Sequence, residues 1–307
     1  MLSIFEQAGT EVVRQGNVAS VFHDTGLDWQ VEQRPVYSQV GMYPNIQRIP
    51  KMMANYRSDN GQFLGIVHEK IYQVVQNLDA FNFIDQLPNF SFEKVGTFSG
   101  GKKVFVVGKA NEQIDIDGSG DLVNFYLTFL HGHDGKSGIR FVICPIRLFC
   151  MNQLNLMLES ASFKYNITHT GDVQFKLAQI QRAIANSKTY VQSLETQIKA
   201  YMTEKPNITA EVFIDRLIDF TDNDSKIQIS RKEATKAAIL DLYQNKDDLQ
   251  NYKGSSFGML SAVADYISHK MPDRNAKNDG TINNTFVKNI EGHPLLEKAR
   301  RILQLAA

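Results

Sequence analysis

From Phe92 to Arg147 apolar side chains recur at every second position and the interruptions are short glycine turns, which leaves the chain little choice of architecture. A period of two is that of a pleated strand, whose successive side chains point to opposite faces. FEKVGTFSGGKKVFVVGKA reads as two strands reversing at Ser99-Gly100-Gly101, where paired glycines take the positive φ angles of a tight turn. In DLVNFYLTFLHG, Val123, Phe125, Leu127 and Phe129 share one face while Asn124, Tyr126 and Thr128 share the other, so one face is expected buried and the other half polar. GIRFVICPIRLFC follows through HDGKSG, and Pro145 within it predicts an edge position or a bulge. MNQLNLMLESA then reads as a helix packed on the sheet.

The remaining chain is organised around this core. Residues 1–54 read as an irregular segment, broken by Gly16, Gly26, Pro35, Gly41, Pro44 and Pro50. The antiparallel core with its packed helix spans 55–160. It opens with a hairpin across Asp59-Asn60-Gly61, a strand at Phe63 to Val67, another near Tyr72, and a short helix in NLDAFNFIDQLP. Residues 161–206 hold a long helix, roughly 50 Å if continuous from Asp172 to Glu204. Its Val173, Leu177, Ile180, Ile184, Val191, Leu194, Ile198 and Tyr201 form a heptad-like seam that needs another helix or another subunit to lie on. Residues 207–307 read as a helical C-terminal region: TAEVFIDRLIDF, SRKEATKAAILDLY with a capping box at Ser230 and Glu233, and SSFGMLSAVADYISH. The expected fold class is therefore α+β, an antiparallel hairpin sheet followed by a helix, then the long helix and the C-terminal helices.

Total charge excludes a global field for polyanions, since Lys plus Arg and Asp plus Glu are 33 each. Any such site must be local or repeated by assembly. No stretch has the uncharged apolar length of a membrane span, so the expectation is a cytoplasmic protein. Cys144 and Cys150, six apart on one extended strand, cannot bond to each other. His131 and His133 with Asp134 form a two-histidine, one-carboxylate set of the type that binds zinc or iron, but no distant third ligand is evident. DIDGSGD, Asp115 to Asp121, copies the first half of a calcium loop, yet Tyr126 stands where the bidentate glutamate belongs, so it reads as a solvated loop. There is no GxSxG and no GxxxxGK[ST] motif, so neither covalent catalysis nor a nucleotide cofactor is expected.

Cations near aromatic rings remain. Arg57 follows Tyr56, Lys102 and Lys103 precede Phe105, Arg140 precedes Phe141 and Arg147 precedes Phe149. Guanidinium and ammonium groups take phosphates and rings take bases, a sequence-tolerant way to hold a single strand; gatekeeping of a sheet edge is the alternative use of the same residues. From Asn251 onward Lys and Arg outnumber acids eight to five. The candidate contacts are Arg57, Lys102, Lys103, Arg140 and Arg147, with Lys253, Lys270 and Arg274 in support.

HDGKSGIRFVICPIRLFCMNQL, together with YRSDNGQFLGIVHEKIYQVVQN, ITHTGD and GSSFGMLSAVADYISH, resembles a family of phage- and plasmid-encoded proteins catalogued as a domain of unknown function. The resemblance covers roughly residues 40 to 300 and includes a Pro-x-Arg-x-x-Cys-x-Asn pattern at Pro145, Arg147, Cys150 and Asn152. The chain departs from the family at Phe257, usually tryptophan, and at Ser261, usually asparagine. The resemblance implies a mobile-element setting, where the order of hairpins and helix looks like the core of Redβ-like and Rad-type annealing recombinases. The expected function is thus single-stranded DNA binding and strand annealing by a homo-oligomer, a ring or filament, without metal or nucleotide. Two other classes stay open: a metal-dependent enzyme acting on nucleic acid through His131, His133 and Asp134, and a module that docks on a host protein through the helical seam.

Overall fold

The computed structural model describes residues 10–39, 41, 45–87, 90–115, 122–147, 152–153, 164–185, 196, 198–271 and 293–306. The chain is α+β, with two antiparallel sheets and a helical C-terminal region. The main sheet runs from β1 (Thr10–Glu11) through β5 (Phe90–Phe98), β6 (Lys103–Asp115), β7 (Leu122–Gly132) and β8 (Ile139–Arg147) to β10 (Lys164–Ile167). The two-residue β9 (Asn152–Gln153) pairs with the end of β8. Ser99, Gly100 and Gly101 close the β5–β6 turn, all three at positive φ, and Phe98 pairs with Lys103 across it. Residues 152–153 were expected to begin a helix, and β8 recruits their backbone instead; 154–163 lie outside the described residues.

One face of this sheet builds the core. Val95, Val104, Val106, Phe129, Ile139 and Phe141 are buried against Val21 and Phe22 of α1 (Val18–Asp24), Phe81 of α2 (Asn77–Phe81) and Phe83 and Ile84 of the 3-10 turn behind it. Phe129 lies at the centre, stacked on Phe141 at 4.7 Å and edge-on to Phe83 at 5.3 Å. Each such ring contributes about 1.5–3 kcal/mol by leaving water. The other face was expected half polar, but Thr128 and Asn124 are buried there along with Phe105, Val107, Leu130 and Val142. Two polar residues in a strand therefore do not mark a wet face when large apolar neighbours sit across the ladder.

The N-terminal segment is not irregular. β2 (Val31–Gln39), β3 (Ile46–Arg57) and β4 (Phe63–His68) form a second antiparallel sheet in that order. Pro35 and Pro50 read as breakers but occupy positions that lose no ladder bond; Pro44 lies outside the described residues. Val31 turns its N–H and C=O away from β3, toward the Gln76 side chain (2.7 and 3.2 Å), and Pro35, four residues on, shares that outward orientation. Pro50 and Lys51 (φ 63°) fall in the bulge between Arg48 and Met53, where pairing with β2 is interrupted. The Asp59-Asn60-Gly61 hairpin links β3 to β4 as expected. The strand expected near Tyr72 is instead a turn and an extended segment whose Gln73 N–H donates to the His169 carbonyl at 2.8 Å.

Helix α3 (Val173–Ala185) begins the expected long helix; residues 198–203 are helical too, and 186–195 lie outside the described residues. Val173, Leu177, Ile180 and Ile198 of the seam are buried in the chain's own core, so these positions need no second subunit to cover them. The same core continues into α4 (Ala210–Leu217), α5 (Lys226–Asn245), α6 (Ser256–Asp265) and α7 (Pro294–Gln304) through Phe213, Ile239, Leu260 and Leu303. The cap of α5 lies five residues before the expected one, because Ser225 and Gln228 form the reciprocal box that Ser230 and Glu233 were expected to make. Among the described residues no helix is long and apolar enough to cross a membrane.

Candidate nucleic-acid interface

The small sheet turns one face to the main sheet and the other to solvent. Val31, Asn55, Gly65 and Val67 face inward and are buried. Glu32, Arg34, Met52, Tyr56, Phe63 and Ile66 take the outer register. A bulge at Leu64 permits this: Leu64 is buried, while Phe63 pairs with Tyr56 and stays 39% exposed.

On the outer face a row of alternating chemistry runs across three strands and onto the main sheet. The Arg34 guanidinium lies 5.3 Å from the centre of the Tyr56 ring, Tyr56 meets Phe63 edge to face at 5.7 Å, and Lys102 Nζ stands 5.8 Å from the Phe63 ring. Arg34 also holds Glu32 at 3.1 Å, an exposed pair worth little. Lys102 arrives from the β5–β6 turn, which the paired glycines bring against the hairpin of the small sheet. The row combines two rings with a cation at each end; Arg34 and Phe63 are exposed, and Tyr56 and Lys102 are half-buried.

The candidate residues do not form one groove. Lys102 belongs to the outer-face row and is half-buried. Arg57 lies behind it: its guanidinium stacks over Trp29 at 4.5 Å and grips both carboxylate oxygens of Asp59 (3.0 and 2.6 Å), leaving the side chain 13% exposed. That grip holds the Asp59 carboxyl below its ordinary pKa, chiefly through the hydrogen bonds from Arg57. Arg57 is a structural cation, neutralised within its own hairpin. Lys103 and Arg140 share one face of the main sheet through Gly132 and Leu130 of β7, half-buried with Asp134 nearby. Burial draws the Lys103 pKa down, the Asp134 charge pulls it up and Arg140 pushes it down again. The Arg147 side chain lies outside the described part. Lys253 is exposed before α6, Lys270 pairs with Asp241 at 3.1 Å, and Arg274 lies outside the described residues.

His131, His133 and Asp134 do not converge as metal ligands. The Asp134 carboxylate accepts the Lys136 N–H, the Ser137 N–H and the Ser137 hydroxyl at 2.9, 2.6 and 2.9 Å, which closes the β7–β8 turn. The two imidazoles point into the protein with rings 4.2 Å apart, and His169 stacks on His131 at 5.1 Å. Among the described residues no three ligand-type side chains are arranged to hold a metal ion. The calcium-like loop at 116–121 and Cys150 lie outside the described residues, as does the Cys144 side chain.

The sequence reading missed Arg34 and Phe63 because each is separated in the chain from the ring or cation it meets. The available signal was the exposed face of the hairpin, with Tyr56 and Phe63 flanking its turn. No curated protein and no solved structure matches the chain. A family model described as a domain of unknown function (DUF932) matches residues 63–287, more than two thirds of the 307 residues, and the chain belongs to that family.

Proposed function

We propose that the protein binds single-stranded DNA on the outer face of its small sheet and, as an oligomer, brings complementary strands together without making or breaking a covalent bond. The outer-face row of Arg34, Tyr56, Phe63 and Lys102 carries this reading. Rings accept any base by stacking, the flanking cations take phosphates, and base edges stay open to a second strand. Assembly enters because one row offers only two cations, and repetition along a strand is how a chain of balanced charge gains a firm hold.

Fluorescence anisotropy with a labelled oligothymidylate tests the reading. Phe63→Ala and Tyr56→Ala are each expected to weaken binding about tenfold, within the range for loss of one stacked base. Lys102→Ala is expected to reduce the slope of log affinity against log salt by roughly 0.7, the value for one single-strand phosphate. An unaltered affinity in both ring variants, or wild-type binding that ignores salt, defeats the proposal. Negative-stain images with and without the oligonucleotide then decide whether rings or filaments form.

A further inference from the structure

We infer that His131, His133 and His169 form an acid-sensitive joint between the two sheets, which opens when these imidazoles take up protons while the C-terminal helices stay folded. The joint is independent of the nucleic-acid reading.

Four separate chain segments meet there. His131 lies in the end of β7 and His133 just beyond it; His169 lies two residues after β10; Tyr72 comes from the loop after β4; Trp29 lies two residues before β2. Tyr72, His169 and His131 stack in a column, at 4.7 and 5.1 Å with planes 13° and 12° apart, and His133 packs against His131 on one side and Trp29 on the other. Small-sheet segments are tied directly to His133: Asn55 donates to its carbonyl at 3.0 Å, and its ring Nε2 donates to Asn77 Oδ1 at 2.8 Å, while the Asn77 amide donates to Leu27 and Trp29 carbonyls.

The ring nitrogens left over make the joint sensitive. His133 Nδ1 and both nitrogens of His131 are buried without a hydrogen bond, and His169 Nε2 is buried beside the Gly132 carbonyl. A proton added to any one of the three rings, at its bare nitrogen, creates a cation in an aromatic cage, against two neighbouring imidazoles. Burial comes first and mutual repulsion second in holding His131 well below its usual pKa, and the same causes bring His133 down to about 3. His169 is lowered by burial, although the Gln73 and Gly132 carbonyls and the Asp134 charge pull it up. The other charged or titratable groups around the cluster are Asp134 in the β7–β8 turn, Lys103 on β6, Tyr72 itself, and the Arg57–Asp59 pair beyond Trp29. Asp134 alone favours protonation, and it is committed to its own turn.

All three folded-state values are depressed, so the closed joint has its full stability above the ordinary imidazole value of 6.5 and loses it as pH falls toward the folded values. Over that window each imidazole raises the opening constant up to about tenfold per pH unit, and three raise it up to roughly a thousandfold.

Trp29 is the single tryptophan and touches His133, so its emission reports the joint while far-ultraviolet circular dichroism follows the helices. Lowering the pH of the full chain from neutral is expected to shift Trp29 emission reversibly to the red before the helical signal falls. His131→Leu removes one proton site and loses no hydrogen bond. It should move the midpoint down by roughly half a pH unit for a joint open about once in a thousand at neutral pH. His169→Asn, whose amide can still donate to Gln73, should act in the same direction and decides the matter if His131→Leu does not fold. Simultaneous loss of both signals in the wild type, or midpoints unmoved in the variants that fold, overturns the inference.

Discussion

Gly65→Ala is expected to destabilise the protein by about 3 kcal/mol or more, seen as a lower urea midpoint with little change in slope. A Cβ on Gly65 points at the β7–β8 turn, where it meets the Asp134 carbonyl oxygen, stands 2.6 Å from the carbonyl carbon and 2.8 Å from Cα. All three are backbone atoms, so no side-chain rotation relieves the clash. The turn cannot move away easily, because Asp134 is bonded to Lys136 and Ser137 and the preceding residue is tied to Asn55. The remaining escape is for the small sheet to lift from the main one, which breaks the packing around Trp29 and His133. A variant as stable as wild type would mean that the two sheets do not touch at this point.

Lys246→Met should cost about 3–5 kcal/mol, the usual penalty for removing one member of a buried ion pair. Asp265 on α6 is fully buried, and its carboxylate is held by Lys246, the residue that ends α5. His269, one turn along, has Nε2 3.8 Å from the other carboxylate oxygen, beyond hydrogen-bond reach, and its own burial holds its pKa down. Asp265→Asn should cost less: the Lys246 side chain is 28% exposed and can carry its charge to water. Pairing Lys246→Met with Asp265→Leu should recover much of the loss, as replacing a whole buried pair by apolar groups often does. Thermal unfolding of the wild type, Lys246→Met, Asp265→Leu and the double variant measures the cycle; additive losses in the double variant would show that the pair is not coupled.

Both effects concern how separate parts of the chain meet, and that is where reading residues in order had least to offer. Periodicity and turn chemistry are local, so they located the Asp59-Asn60-Gly61 hairpin, the Ser99–Gly101 reversal, the 77–86 helix and most C-terminal helices. Local rules misled where tertiary placement removed their cost. Pro35 and Pro50 signal breakage by lacking an N–H, which is harmless on an outer edge and in a bulge. Thr128 and Asn124 signal water but sit under apolar neighbours.

Charge proved hardest to read. Arg57 beside Tyr56 looked available for phosphate, yet a carboxylate two residues on and an indole from before β2 claim its guanidinium. The outer-face row joins Arg34 to Tyr56 and Phe63 to Lys102, and the buried joint joins His131 to His169, pairs brought together only by strand register and sheet docking.

By itself the sequence determined the fold class and most strand turns, since backbone geometry depends on neighbours a few residues away. Tertiary structure alone decided which cations meet solvent, which rings they stand over and which imidazoles lose their water, because those depend on contacts between segments whose distance along the chain says nothing about their distance in space.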